Sequence, residues 1–301
     1  MSLVKKIILC NCIQRNLENL SFYFGISSLL FISIFLLSNT VYALPKSTGI
    51  IIPLYADPGG EWEKVIYAKK THPSVPVLVI INPNNGPTPC PNQDYVKGIT
   101  DLKSAGIFTL GYVSTNYTAR NHSDIITDVD NWKNCYPNID GIFFDEMSNM
   151  LGKEKYYADL TSYAKSLGFT FTVGNPGIDT LPSYVGTVDN LVIYEDVGLP
   201  SFLSLEEWCP NFNKSNISII SYGVNDINDS TIKRISHKVG YLFITNGTSP
   251  NPFTSLPPYF DKIVEELDKR GYEKKDHHNE EPIILKLMHR HVNIFKKFIH
   301  K

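Results

Sequence analysis

A repeating alternation of two kinds of segment most constrains the fold of this chain. From Thr48 onward, short apolar runs rich in β-branched residues end in Pro, Gly, Asn or an acid, and an amphipathic stretch follows each run. Such runs predict buried strands, and the amphipathic stretches predict helices. The predicted strands are Gly49–Tyr55, Val75–Asn82, Phe108–Ser114, Ile139–Asp145, Phe169–Val173, Leu191–Glu195, Ile217–Tyr222 and Tyr241–Thr245.

The stretches after these strands supply the predicted helices. They are Glu61–Lys70, Asp94–Ala105, Ser123–Asn134, Lys153–Leu167, Leu181–Thr187, Leu203–Trp208, Ser230–Lys238 and Tyr259–Arg270. Alternating strands and helices indicate an α/β protein with a parallel sheet. Eight such units in about 220 residues match the size of a (β/α)8 TIM barrel. An open doubly wound sheet is the alternative, and the missing Gly-rich dinucleotide fingerprint after the first strand weakens it.

The two ends of the chain differ from this repeat. Basic residues, the apolar run Phe22–Leu37 and the small-residue pattern Val41-Tyr42-Ala43 predict a signal peptide over residues 1–43. A retained signal anchor is the alternative. Residues 48–270 form the predicted barrel, and residues 271–301 form a charged linker and a basic amphipathic tail. This tail packs on the barrel, is a disordered extension or lies on an anionic surface. We therefore expect a protein that is secreted, extracellular or in the cell wall.

Several features fit that location. Asn-x-Ser/Thr sequons for N-glycosylation begin at Asn116, Asn121, Asn213, Asn216, Asn228 and Asn246. Three cysteines follow the predicted cleavage site, namely Cys90, Cys135 and Cys209, and they allow at most one disulfide whose pairing the sequence leaves open. The net charge of −2 does not favour a nucleic-acid partner.

Acidic residues end two of the predicted strands. Asp145 and Glu146 follow a buried apolar run, and Glu195 ends the sixth strand. Carboxylates at such positions are costly unless they meet water, a partner or a substrate. The carboxyl ends of barrel strands carry active sites, and one strand separates the fourth from the sixth, so these acids can face each other across a cleft. The alternative is that Asp145 caps a turn and Glu146 is solvated.

The other residues predicted at this face are aromatic, amide or acidic. We expect Tyr55, Asp57, Asn82, Tyr112, Asn175, Tyr194 and Tyr222 to bind substrate. Aromatic rings stack on sugars, and amides and acids bind hydroxyl groups, whereas the scarcity of Lys, Arg and His argues against a phosphorylated ligand. Two alternatives stay open. Asn82 and Asn175 each precede a proline and can serve only to shape a turn, and the tyrosines can serve only to pack the barrel.

Two carboxyl groups on either side of a scissile bond are what glycoside hydrolysis requires. A chitinase-like motif is rejected because Phe143 and Met147 stand where that family needs acids. A metal hydrolase is also disfavoured, because the predicted barrel has no His cluster and no metal-ligand spacing. We expect neither a metal nor a cofactor.

Six ordered segments carry a resemblance to a known family. They are Gly49–Tyr55, Ile81–Pro87, Leu110–Ser114, Gly141–Glu146, Gly174–Gly177 and Tyr194-Glu195. Together they resemble the spherulin-4 (spherulation-specific family 4) proteins, in particular the fungal enzymes of glycoside hydrolase family 135, over about Thr48–Arg270. The resemblance implies a (β/α)8 barrel that cleaves α-1,4-linked N-acetylgalactosamine in galactosaminogalactan-type polymers without a cofactor.

The resemblance also implies that Asp145, Glu146 and Glu195 are required. We predict Asp145 as nucleophile or stabilising carboxylate and Glu195 as general acid/base, with these two roles exchangeable, and Glu146 as a supporting acid. The resulting hypothesis is a secreted, monomeric, endo-acting glycoside hydrolase with an extracellular polysaccharide as partner, no nucleic acid, and membrane contact only if the N-terminal segment is uncleaved. The alternative is a non-catalytic carbohydrate-binding protein of a cell wall or spore coat.

Overall fold

Eight parallel strands form a closed barrel in which each strand pairs with the next and the last pairs with the first. The computed structural model describes residues 47–208 and 212–279, with side chains up to residue 269. The barrel confirms the predicted fold class and excludes the open sheet. The strands are β1 (Gly49–Leu54), β2 (Val77–Ile81), β3 (Phe108–Ser114), β4 (Gly141–Asp145), β5 (Phe171–Gly174), β6 (Asn190–Val197), β7 (Ile217–Tyr222) and β8 (Tyr241–Ile244).

Helices follow seven of the eight strands. They are α1 (Gly60–Thr71), α2 (Gln93–Ser104), α3 (His122–Cys135), α4 (Glu154–Ser166), α5 (Phe202–Trp208), α6 (Asp229–Ser236) and α7 (Phe260–Asn279). Every residue of β1 and β2 is buried. Strands in a parallel barrel are buried on both faces, because side chains fill the interior and helices cover the outside.

The contact between β3 and α3 shows how this packing positions the face that carries the predicted site. The ring of Trp132 lies against Gly111, where a Cβ atom would come within 2.5 Å of it. Trp132 Nε1 also donates a hydrogen bond of 2.8 Å to the carbonyl oxygen of Tyr112. Only glycine leaves room for this ring, so the close contact fixes β3 and the tyrosine that it carries.

The barrel closes where β1 meets β8, and side chains reinforce this seam. Only Gly49 and Ile50 are in register with β8. Thr48 Oγ1 donates to the carbonyl oxygen of Val239 at 3.0 Å, and Lys214 Nζ donates to Thr48 Oγ1 at 2.7 Å. These bonds join the start of the first strand to the segments before the seventh and eighth strands.

A disulfide joins Cys90 in the β2–α2 loop to Cys135 at the end of α3, with 5.5 Å between the two Cα atoms. The structure therefore selects one of the three pairings that the sequence left open.

Two predicted elements differ from the structure. The predicted helix Leu181–Thr187 is only a 3₁₀ turn, Pro182–Tyr184, because the segment is short and Gly186 adopts a left-handed backbone (φ 92°). The predicted helix Tyr259–Arg270 is longer than expected, since α7 continues to Asn279 through the start of the segment predicted as a charged linker. The predicted signal segment, residues 1–43, and the tail beyond residue 279 lie outside the described residues. Within the described part of the chain, no helix is long and apolar enough to span a bilayer.

Candidate active site

Asp145 ends β4 and is surrounded by hydrogen-bond donors. Asn175 Nδ2 donates to Asp145 Oδ1 at 2.8 Å, and the Tyr112 hydroxyl and the Glu146 backbone N–H also donate to this carboxylate. Burial raises the pKa of Asp145, while the three hydrogen bonds favour the ionised form and act in the opposite direction. The pKa of Asp145 is raised overall, because the hydrogen bonds only partly offset the effect of burial.

Glu195 lies on β6 just after an irregularity in the strand. The register with β7 shifts between Val192 and Tyr194, so Ile193 is an extra residue, as in a β-bulge. Beyond the bulge, Glu195 lines the main cavity of the barrel mouth. Burial, and then the charge of Asp145, raise the pKa of Glu195 to about 7. Glu195 is thus an acid that retains its proton close to neutral pH.

Asn175 connects the two acids. It is 3% exposed and follows β5, the strand that separates β4 from β6. Its Nδ2 donates both to Asp145 Oδ1 and, at 2.5 Å, to Glu195 Oε2. Its backbone N–H donates to the Phe144 carbonyl oxygen at 2.9 Å, and its carbonyl oxygen accepts from the Met147 N–H at 2.8 Å. These bonds join Asn175 to Phe144 and Met147, the residues that flank Asp145 and Glu146, and they hold the backbone of Asn175 in place.

Glu146 has a left-handed backbone, with φ of 51°. The loop after β3 holds it in this conformation. Ser114 Oγ donates to Glu146 Oε2, and the Glu146 carbonyl oxygen accepts from Thr115 Oγ1 at 2.8 Å and from the Tyr117 N–H at 2.7 Å. A non-glycine residue in this region is uncommon and is often found at functional sites. The turn allows Asp145 and Glu146 to have different surroundings although they are adjacent.

A cavity of about 510 Å³ opens at the carboxyl ends of the strands. Three aromatic rings pack edge to face in its wall, with centroids 6.1 Å apart for Tyr55 and Tyr112 and 5.7 Å apart for Tyr55 and Phe253. The lining residues are Tyr55, Asn82, Pro83, Asn84, Asn85, Tyr112, Glu195, Tyr222, Ser249, Pro250, Asn251, Pro252 and Phe253. Among these described residues there is no Lys, Arg or His. The cavity thus presents aromatic rings, amides and one carboxyl group.

Four of the seven residues predicted to bind substrate line this cavity, and the other three do not. Tyr55, Asn82, Tyr112 and Tyr222 line the cavity. Asn175 lies behind it as the bridge between the acids. Tyr194 lines a second cavity of about 220 Å³, which shares Glu195 with the first. Asp57 accepts a hydrogen bond of 3.0 Å from the Tyr95 hydroxyl on α2, so its observed contact is structural.

Of the three predicted catalytic acids, only Glu195 is among the residues lining the main cavity. Asp145 is connected to that wall through its hydrogen bonds with Tyr112 and Asn175. Glu146 follows Asp145 in the chain and is not among the residues that line the cavity. The catalytic assignments of the three acids stay predictions.

Sequence reasoning missed several residues of the site. The loop between β8 and α7 supplies the segment Ser249–Phe253 to the cavity wall. The last residue of β3, Ser114, and Tyr117 in the loop after it bind Glu146. The Asn251-Pro252 pair in the first of these loops resembles the Asn82-Pro83 pair after the second strand and was a usable signal. No local pattern indicates the contacts of Ser114 and Tyr117, because they depend on how two loops meet.

The fold and the site define a (β/α)8 barrel with a bridged pair of carboxyl groups at the carboxyl ends of its strands. The model of the Spherulation-specific family 4 matches residues 49–267. The chain therefore belongs to this family, which confirms the resemblance noted in its sequence. Spherulin-4 of Physarum polycephalum is 37% identical over 151 residues, a match that spans 50% of this chain but only 45% of that relative.

Solved structures share the same fold. The crystal structure of Aspergillus clavatus Sph3 in complex with GalNAc superposes with a TM-score of 0.64 at 24% identity, covering 74% of this chain and 98% of Sph3. A putative fructose-1,6-bisphosphate aldolase of Coccidioides immitis superposes with a TM-score of 0.50 at 13% identity, covering 79% and 96% of the two chains. At these identities the likeness establishes the barrel and does not assign an activity.

Proposed function

We propose that the protein is a secreted glycoside hydrolase that cleaves within polymers of α-1,4-linked N-acetylgalactosamine and galactosamine. The observation that carries this proposal is the bridge in which one amide nitrogen of Asn175 binds both Asp145 and Glu195. Glycosidases use two carboxyl groups with different proton affinities, one as acid and one as nucleophile or base. The bridge brings two such groups together beside a cavity large enough for sugar residues.

The surroundings of the two acids support different roles. Glu195 has a pKa of about 7 and lines the cavity, so it can protonate the oxygen of the leaving sugar at neutral or mildly acidic pH. Asp145 accepts three hydrogen bonds that partly offset the rise in its pKa caused by burial, and its ionised form can attack or stabilise the positive charge that develops on the sugar ring. The role of Glu146 is to hold the turn after Asp145 and to add negative charge beside it.

The separation of the two carboxyl groups supports a retaining mechanism. Asp145 Oδ1 and Glu195 Oε2 accept hydrogen bonds from the same nitrogen. The distance between these two oxygens therefore cannot exceed the sum of the two hydrogen-bond lengths, 2.8 Å and 2.5 Å. Retaining enzymes hold their carboxyl groups about 5–5.5 Å apart, whereas inverting enzymes leave about 6.5–9.5 Å for a water molecule. The bridge leaves no room for the wider spacing.

The substrate class rests on the cavity wall and on one relative. Tyr55, Tyr112, Tyr222 and Phe253 offer ring faces and edges for sugar rings, and Asn82 offers an amide for hydroxyl or acetamido groups. The similar Sph3 structure contains GalNAc. The Cys90–Cys135 disulfide and the N-glycosylation sequons support a location outside the cytosol.

Product analysis tests the proposal. The full-length protein is incubated with the galactosamine and N-acetylgalactosamine polymer, and new reducing ends and oligosaccharide masses are measured. We expect short oligosaccharides from the wild type and none from Asp145→Asn or Glu195→Gln, with the circular-dichroism spectra of all three unchanged. Undiminished release by either variant would overturn its assignment.

A non-catalytic carbohydrate-binding protein is the second candidate. The observation in its favour is that Asp145 is not among the residues lining the main cavity. This candidate predicts that the wild type binds the polymer and releases no reducing ends, and that Asp145→Asn binds it equally well.

A further inference from the structure

We infer that Tyr117 is a sugar-binding platform at the rim of the active site, presented by a left-handed turn that is fastened to Glu146. The inference rests on the proposed polysaccharide substrate and adds a binding subsite outside the main cavity. The ligand is the face of a sugar residue in the polymer, next to those that occupy the cavity.

The first observation is the conformation of the loop. Asn116, Tyr117 and Thr118 have φ values of 44°, 53° and 73°, so three consecutive non-glycine residues are left-handed. This conformation is unfavourable for residues with a Cβ atom, and such residues normally adopt it singly. Strained backbone of this kind persists only where surrounding contacts impose it, and it is concentrated at ligand-binding and catalytic sites.

The second observation is what holds the loop in place. The Tyr117 N–H donates to the Glu146 carbonyl oxygen at 2.7 Å, and Thr115 Oγ1 donates to the carbonyl oxygens of both Asp145 and Glu146, at 2.9 Å and 2.8 Å. Glu146 itself is left-handed. Two left-handed segments are therefore hydrogen-bonded to each other beside the catalytic pair, and any shift of one affects the other.

The third observation is the exposure of the ring. Tyr117 is 56% exposed, although it lies on the loop that touches the acidic site. Partial burial and the negative charges of Glu146, Asp145 and Glu195 raise the pKa of Tyr117, which agrees with a ring close to all three acids. An exposed aromatic ring beside carboxylates offers the apolar face and neighbouring hydrogen-bond acceptors that bind a sugar.

Tyr117 variants and one control variant test this inference. Binding of the full-length chain to the polymer is measured in a Glu195→Gln background, and cleavage is measured in the wild-type background. We expect Tyr117→Ala and Tyr117→Gly to weaken binding about tenfold, which corresponds to the loss of one aromatic contact, and to raise KM more than they lower kcat. Tyr117→Phe keeps the ring and should bind within about twofold of the parent.

The matched control is Tyr67→Ala. Tyr67 is 68% exposed on α1, a helix on the outside of the barrel. Its removal should change neither Kd nor KM. All the Tyr117 substitutions keep the Asn116-x-Thr118 sequon, because only the middle residue changes and none is proline, so the acceptor motif is the same in every variant.

A stability measurement separates a binding role from a structural one. Glycine adopts the left-handed conformation without strain, so Tyr117→Gly should have at least the wild-type Tm and gain up to roughly 2 to 4 °C. A marked fall in Tm together with weaker binding would make Tyr117 a structural residue. If the wild type cleaves the polymer and the Tyr117 variants bind it normally, the platform is wrong and the proposed function stands. If the wild type neither binds nor cleaves it, the proposed function fails and the platform fails with it.

Discussion

At the scale of single residues, the position of Asn175 decides what Asp145 and Glu195 can do. Without a donor between them, two carboxyl groups this close would repel each other when both are ionised. The amide lowers the pKa of each acid against the effect of burial. It also keeps both oxygens within reach of one nitrogen, which the proposed mechanism requires if the two groups are to act on the same bond.

Removal of this amide should impair catalysis and shift its pH dependence. We expect Asn175→Ala to lower kcat/KM by about 10²-fold, as for loss of a positioned donor in an active site. The pKa of Glu195 should rise above about 7, because the hydrogen bond that lowers it is gone, and the alkaline limb of the pH profile should move to higher pH. The measurement is kcat/KM for the polymer between pH 4 and pH 9.

Asn138→Ala is the matched control for this substitution. Asn138 precedes β4 and donates to Thr100 Oγ1 at 3.0 Å, at the opposite end of the strand. Its kcat/KM and pH profile should equal those of the wild type. Wild-type kcat/KM in Asn175→Ala would contradict the bridging role.

The raised pKa of Glu195 also predicts a dependence of stability on pH. Its pKa rises from 4.5 in the unfolded chain to about 7 in the fold, so the folded state binds the proton more tightly. Its contribution to stability is fully present below about pH 4.5 and is lost as the pH rises through about 7. Gln mimics the protonated acid, so Glu195→Gln should be more stable than the wild type by about 3 kcal/mol at pH 8, and by almost nothing at pH 4.

Urea unfolding at both pH values measures this difference. Glu63→Gln on the exposed surface of α1 is the control, and its effect should be close to zero at both. Equal stability of Glu195→Gln and the wild type at pH 8 would show that Glu195 is not held as a neutral acid.

At this scale, the sequence indicated the three acids and five of the thirteen residues that line the main cavity, because strand ends in a parallel barrel meet at one face. It did not indicate that Asn175 bridges two acids, since that contact joins three different strands. It also assigned Asp57 to the substrate; Asp57 does not line the main cavity and accepts a hydrogen bond from Tyr95, so this assignment stays a prediction. Side chains of the same type at a strand end can point to a cavity or to a helix, and only packing decides between these directions.

At the scale of elements, strand boundaries followed the sequence pattern closely, and β3 and β7 begin and end at the predicted residues. Their apolar runs are bounded by clear polar or glycine signals. The β5–β6 connection was harder to predict, because Pro182 and Gly186 leave room for a single 3₁₀ turn in a segment with some helical periodicity. Loops such as Asn116–Thr118 were not predictable, because long-range hydrogen bonds impose their backbone.

The Cys90–Cys135 disulfide stabilises the loop that carries part of the cavity wall. Its cysteines are 45 residues apart, and closing a loop of this length should stabilise the fold by about 4 kcal/mol through the entropy of the unfolded chain. We expect Cys90→Ser/Cys135→Ser to lose about this much free energy of unfolding in urea.

Wild-type protein unfolded in the presence of a reductant is the control and should behave like the double variant. A loss of less than about 1 kcal/mol in both would contradict this account and would mean that native-state strain or residual structure in the unfolded chain offsets the entropic effect.

At the scale of the whole molecule, the closed barrel brings the ends of β4, β5 and β6 side by side on one face, and it is this order that puts an amide between two acids. The polar groups of the cavity match a neutral or cationic sugar polymer, because the described lining residues supply carboxyl, amide and aromatic groups and no cation. The barrel alone is shared with enzymes of many kinds, so the proposed activity rests on this site and not on the fold.

The most direct test of the paired-carboxylate mechanism is the anomeric configuration of the first product, measured by proton NMR within minutes of mixing the full-length protein with the α-1,4-linked polymer. Carboxyl groups bridged by one amide nitrogen predict a double displacement, so the new reducing end should appear first as the α anomer and then mutarotate. A β anomer as first product would contradict the assignment of Asp145 and Glu195 as a retaining pair. The complete absence of product would contradict their action as a hydrolase on this polymer.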